Sequence, residues 1–201
     1  MRHVDTGRTS AFMADRLRDM GCDRVETGIG RTGHWFAHQA IEGLQPDVMT
    51  LAKGLGGGFP IGACLATSKA AEGMTVGAHG STFGGNPLAM AVGQAALSTI
   101  NTPETLNNVA EIAGYLKQQF AGLQERFPDV IADVRGKGLL IGIKMVPNNR
   151  EFMALARDTQ RLLIAGGGDN CVRLLPPLNL TLDEAREAVA HLQAMGVRTV
   201  M

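Results

Sequence analysis

Lys53 is the first residue whose surroundings suggest chemistry. It ends the apolar run Val48-Met49-Thr50-Leu51-Ala52 and precedes Gly54-Leu55-Gly56-Gly57-Gly58. The run reads as a short buried strand. A lysine at the end of such a strand sheds part of its water, which frees the amine to attack an aldehyde. The glycines behind it let a flat ring or a second chain approach the backbone. A second candidate is the Ser81-Thr82 pair inside His79-Gly80-Ser81-Thr82-Phe83-Gly84-Gly85-Asn86-Pro87. Two hydroxyls and open backbone amides just ahead of a helix suit a phosphate or a carboxylate. An N-capping loop explains the same residues equally well. Arg173, close to Pro176-Pro177, has the planar fork that clamps a carboxylate, or pairs with a structural acid.

Two further patterns carry less. Gly28-Ile29-Gly30-Arg31-Thr32-Gly33 fits the dinucleotide-binding fingerprint letter by letter. That fingerprint needs an apolar strand before it and a helix opening within it, and Gly21-Cys22-Asp23-Arg24-Val25-Glu26 is no such strand. The match is read as coincidental. His34 and His38 stand one helical turn apart, but a metal needs a third ligand and only Glu42 is near. Surface or aromatic-packing histidines are expected. The ten methionines are read as core filler.

Positioning these residues requires a mixed α/β framework. Val48–Ala52 and Ile61–Ala66 read as short strands, and His34–Ile41 as a turn or two of helix. Asn86-Pro87 is an N-cap followed by proline at the first helical position, and Thr102-Pro103 repeats the signal. Leu106, Val109, Ile112, Leu116, Phe120 and Leu123 recur at helical spacing until Pro128 stops the helix. Val130–Val134 and Leu139–Met145 read as strands around the turn Arg135–Gly138. A helix is expected over 150–163 and a strand over 172–175. Thr181 and Glu184 form a capping box for the last helix. Ser10 opens either a short helix to Met20 or a frayed tail. A domain boundary is placed near residue 110, separating 23–110 from 111–201, with 1–22 standing apart.

Composition narrows the classes of partner. The 201 residues carry 19 Lys+Arg and 19 Asp+Glu, a formal charge of zero. That disfavours a sequence-independent grip on nucleic acid and attraction to anionic membranes. Cys22, Cys64 and Cys171 are scattered, so neither a disulfide framework nor a zinc site is expected. The first twenty residues lack the apolar core of a secretion signal, and no stretch is long enough to span a membrane. A reducing cytoplasmic compartment is expected.

Taken together, the segments from Asp23 onward resemble the class III, fold type I, pyridoxal-phosphate aminotransferases of the acetylornithine and ornithine branch. The stretches that carry the resemblance are 27–33, 46–63, 79–88, 134–142 and 172–178, in the family's order. The resemblance implies a partial fold type I structure: a remnant of the large domain and an α/β small domain. It implies that Lys53 condenses with pyridoxal 5'-phosphate and then shuttles a proton. It places Thr82 at the cofactor phosphate, typically that of a neighbouring subunit in a homodimer. Ser81 and Arg173 become substrate contacts, Arg173 to a carboxylate. Asp23 would hold the pyridinium nitrogen, Val25 would pack on the ring, and Glu26 would lie at the ring oxygen. The implied substrates are an N-acetylornithine- or ornithine-type amino donor and 2-oxoglutarate, in arginine biosynthesis.

The sequence departs from the family in two places. Arg24 and Glu26 stand where the family has an acid and an amide, and a carboxylate at Glu26 would repel a charged ring oxygen. The family's N-terminal half is absent, with its glycine-rich phosphate loop and ring-stacking aromatic. A truncated or frame-disrupted gene product would give this pattern. Three functions therefore compete: a working transaminase, an inactive fragment or subunit that needs a complementary partner, and an aminomutase. The run Gly80–Pro87 fits transaminases better than the last.

Overall fold

The computed structural model describes residues 29–200, with side chains as far as residue 196. Its strands form two sheets. The first is a pair, β1 (Val48–Leu51) and β2 (Ala63–Ala66), antiparallel with Val48 opposite Ala66. A one-turn helix, α1 (Ser68–Ala71), follows, capped by the Thr67 hydroxyl. Then come α2 (Pro87–Ile100) and α3 (Pro103–Arg126). Both start where the sequence signals. The Asn86 side chain accepts from the Ala89 amide at 2.9 Å, and the Thr102 hydroxyl from the Thr105 amide at 3.1 Å. Each bond satisfies one of the helix's otherwise orphaned amides.

The second sheet has four strands in the order β3-β4-β6-β5, every pair antiparallel. They are β3 (Ile131–Lys137), β4 (Leu140–Met145), β5 (Ala165–Gly166) and β6 (Cys171–Leu174). Helix α4 (Asn149–Gln160) lies between β4 and β5, and α5 (Leu182–Val200) ends the described chain. Along β4, Ile141, Ile143 and Met145 are buried while Leu140, Gly142 and Lys144 are not. This alternation shows that one face of the sheet is covered. The cover is helical. Val109, Ile112, Leu116, Phe120 and Leu123 of α3 form one core with Phe152 and Ala156 of α4 and with Ala185, Val189, Leu192 and Met195 of α5.

Several boundaries differ from the sequence reading. The turn expected at Arg135–Gly138 is tighter, because β3 runs on to Lys137 and only Gly138-Leu139 connects it to β4. The helix expected to reach Leu163 ends at Gln160, where Arg161 takes a left-handed φ of 54°. The strand β5 and the helix α1 were not expected; each is too short to show a periodic pattern. The possible helix from Ser10 lies outside the described residues.

The two halves differ in how well they cover their apolar side chains. Val48, Leu65, Met74, Val76, Phe83, Leu88 and Met90 are exposed, Phe83 at 81%. The corresponding side chains of 109–195 mostly point inward. Phe120, fully buried at the centre of that core, tests this difference. Phe120→Ala should cost about 3–5 kcal/mol, read from urea unfolding of the chain.

Candidate functional site

Lys53 opens a 3-10 turn, Lys53–Gly56, directly after β1. Leu55 and Gly56 are buried and anchor the turn. Helix α2 packs on it closely because Gly93 has no side chain. A Cβ there would lie 3.3 Å from Ile61 Cδ1 and 3.9 Å from the Leu55 carbonyl oxygen. The anchored turn leaves Lys53 pointing outward. The expected desolvation is therefore corrected: Lys53 is exposed, and β1 alternates between exposed and half-buried positions. The strand is short and pairs only with β2, and its covered side is only half-buried. Lys53 also has a φ of 54°, a left-handed conformation that costs a side-chain-bearing residue roughly 1–2 kcal/mol. Backbone strain of this kind clusters at active sites and ligand clamps.

Ser81 and Thr82 lie in the exposed stretch that leads into α2. Asn86 folds the end of that stretch, its side-chain amide donating to the Phe83 carbonyl at 2.9 Å. Helix α2 thus connects two candidate groups, since its body rests on the Lys53 turn and its N-terminus carries the two hydroxyls. Arg173 lies on β6 opposite Gly142 of β4, and Gly142 lies opposite Arg135 of β3. Directly opposed residues share a face, so Arg173 and Arg135 lie on the face turned away from the helices. Arg173 Nε donates to the Gly166 carbonyl at 2.9 Å, which leaves its outer nitrogens for a carboxylate. Among the described residues no hydrogen bond or ion pair joins Lys53, Ser81, Thr82 and Arg173 directly. Asp23, Val25 and Glu26 lie outside the described residues.

The same outer face holds a cluster the sequence reading missed. Asp169 accepts from Arg135 Nη2 at 2.8 Å and from Lys144 Nζ at 2.9 Å. Arg135 Nη2 also lies 2.6 Å from the sulfur of buried Cys171. The Arg135 bond, then the Lys144 bond, hold the Asp169 carboxyl at about 2, below its ordinary 3.8. The cluster arises because β3, β4 and the β5–β6 turn converge. Of the patterns set aside, His38 stacks on Phe36 at 5.9 Å, and no group of three potential metal ligands occurs among the described residues. Residues 29–33 form a tight loop followed by a bridge and a 3-10 turn, not the helix of a dinucleotide site.

The model of the family described as aminotransferase class-III matches residues 20–195. The chain belongs to the class III aminotransferases. Members of this class depend on pyridoxal 5'-phosphate. Acetylornithine aminotransferase 2 of Caulobacter vibrioides is 68% identical over 171 residues, 85% of this chain and 42% of that protein. The acetylornithine aminotransferase of Brucella melitensis is 53% identical over the same shares. Among solved structures, N-acetylornithine aminotransferase from Stenotrophomonas maltophilia superposes with a TM-score of 0.74 at 38% identity, over 86% of this chain and 45% of that one. Ornithine aminotransferase from Plasmodium yoelii gives 0.79 at 30% identity, over 85% and 46%. This class III chain thus spans less than half the length of the relatives it matches. The matches also bear out the expected mixed α/β, partial fold type I structure.

Two predictions follow from the geometry of this class III chain. Lys53→Gly relieves the left-handed strain and should raise stability by about 1 kcal/mol over Lys53→Ala, which keeps it. Urea unfolding of the pair measures the difference. Asp169 has a lower folded than unfolded pKa, so its contribution is complete above about 3.8 and is lost as pH falls toward 2. Asp169→Asn should flatten the acid limb of a melting-temperature profile over that window.

Proposed function

We propose that this chain supplies the lysine-bearing and carboxylate-binding part of a pyridoxal-phosphate transaminase. The amino donor is of the N-acetylornithine or ornithine type, the acceptor is 2-oxoglutarate, and the setting is cytoplasmic arginine biosynthesis. The observation that carries this reading is Lys53, exposed and left-handed on the turn after β1, in a chain of the class III family. The residues present fit the cofactor: a primary amine on a rigid turn, and hydroxyls with open amides on a loop at a helix start. The names of the relatives support the substrate class, with 68% identity to an acetylornithine aminotransferase over 171 residues, and the family match over residues 20–195 spans Lys53, Ser81, Thr82 and Arg173.

When bound, the cofactor supplies an aldehyde that captures amines and a ring that takes up an electron pair from carbon. Lys53 Nζ would hold the cofactor through that aldehyde, and the same nitrogen would serve as the base toward the proton on the substrate's amine-bearing carbon. Thr82 donates its hydroxyl to the phosphate, across a homodimer interface in this reading, and its exposure fits such a role. Ser81 contacts substrate, and Arg173 holds a carboxylate through two parallel bonds. Asp23 holds the ring nitrogen, with Val25 and Glu26 at the ring. Residues 23–110 are proposed as the cofactor-binding part and 111–201 as the small domain.

A second reading has one observation in its favour. The exposed apolar side chains between Val48 and Met90, in a chain spanning 42% of its relatives, suit a fragment that works only with a complementary partner.

Borohydride trapping with pyridoxal phosphate, followed by peptide mapping, tests the assignment of Lys53. Label should fall on the Lys53 peptide and vanish in Lys53→Ala. Label spread over several lysines, or unchanged in the variant, overturns it.

A further inference from the structure

The loop Ile29–Gly33 touches both candidate ends of the site. On one side Ile29 is buried beside the Lys53 turn, its amide nitrogen 3.9 Å from where a Cβ on Gly54 would lie. On the other side two contacts reach the segment after Arg173, and a third reaches the β3–β4 turn. Arg31 Nη1 donates to the Pro176 carbonyl, three residues beyond Arg173. Gly30, at φ 73°, leaves so little room that a Cβ would lie 2.9 Å from Leu178 Cδ1 and 2.8 Å from Ile100 Cγ2. The Arg31 carbonyl accepts from the Leu139 amide at 2.9 Å, at the β3–β4 turn. There Gly138, at φ 60°, lets the two backbones meet, and a Cβ on it would collide with the Arg31 and Thr32 backbone.

The Arg31 guanidinium is an unusual way to make such a contact. It is partly buried, and that burial lowers its pKa. Among the described residues it forms no ion pair; its recorded partner is one carbonyl oxygen. Partly burying a cation against a neutral acceptor costs free energy that an apolar side chain at the same place would not. A charged, directional donor in this position fixes the height of the Pro176 carbonyl, which packing alone would leave less well determined.

We infer that Arg31 is a positioning residue: through the Ile29–Gly33 loop it sets where Arg173 stands relative to Lys53, and so the span between the captured amine and the held carboxylate. This rests on the reading that Lys53 and Arg173 serve one substrate. The loop acts as a spacer with the lysine turn at one end and the carboxylate arm at the other. Arg31 touches neither reacting atoms nor substrate.

The test uses the full chain and the variants Arg31→Met and Arg31→Lys. The readouts are hydrogen exchange over residues 171–178, 2-oxoglutarate binding, and borohydride trapping of pyridoxal phosphate on Lys53. Trp35, the sole tryptophan, has a buried indole N–H without a hydrogen-bond partner, and its emission reports loop opening. Arg31→Met should speed exchange over 171–178 and weaken 2-oxoglutarate binding roughly tenfold to a hundredfold, with Lys53 trapping unchanged. Arg31→Lys, which can still donate to Pro176, should restore most of both. Unchanged exchange in Arg31→Met overturns the proposal. So does a parallel loss of trapping and binding with a lowered melting temperature, which would mark a merely structural residue. A wild-type chain that takes up neither cofactor nor 2-oxoglutarate overturns the transaminase reading instead, and exchange alone then decides for or against the spacer.

Discussion

The apolar stripe of α3 is the interaction on which the rest of the described structure depends. Val109, Ile112, Leu116, Phe120 and Leu123 lie along one side of a single helix and cover one face of the β3-β4-β6-β5 sheet. Because that face is closed by hydrocarbon, the polar residues of the strands must occupy the other. Arg135, Lys144 and Arg173 are therefore presented together, with Asp169 between two of the cations. The chemistry of the outer face is a consequence of burial on the inner one. A one-residue slip of β6 would exchange Arg173 for Val172 and place an arginine in the core.

Local signals were legible and distant ones were not. Asn86-Pro87, Thr102-Pro103 and the Thr181–Glu184 box each place donor and acceptor within three residues, so sequence alone locates them. The Lys53 turn was legible in the same way, from an apolar run that stops at a glycine series. Its exposure was not, because burial depends on what lies over β1, and a strand's own residues do not specify that. The Asp169 cluster and the loop 29–33 were missed for a related reason. Their partners come from other strands and, for Arg31 and Pro176, from 145 residues away. Close backbone approach, the property that makes glycine useful in dinucleotide motifs, is what the glycines of that loop exploit.

The candidate residues lie on parts of different mechanical character. Arg173 sits in a sheet whose core is closed and whose hydrogen bonds are local to 131–174. Lys53 sits on a small two-stranded sheet whose apolar side chains are largely uncovered. The sheet that bears Arg173 is thus organised by its own core. The lysine side owes its order to Leu55 and Gly56 beneath α2 and to Ile29.

The seat of Arg31 at the Gly138-Leu139 turn also bears on how the chain comes off the ribosome. Residues 29–33 emerge early, yet the amide that receives the Arg31 carbonyl belongs to Leu139, and the carbonyl that receives its guanidinium belongs to Pro176. Synthesis proceeds at roughly 5–20 residues per second. The loop therefore waits several seconds for the hairpin and longer for the strand end. During that interval Thr32, buried in the finished fold, has no seat against Gly138. Closing so long a chain segment is also a slow, non-local step. The contacts of residues 29–33 with Leu139 and Pro176 therefore cannot form until both partners have been made.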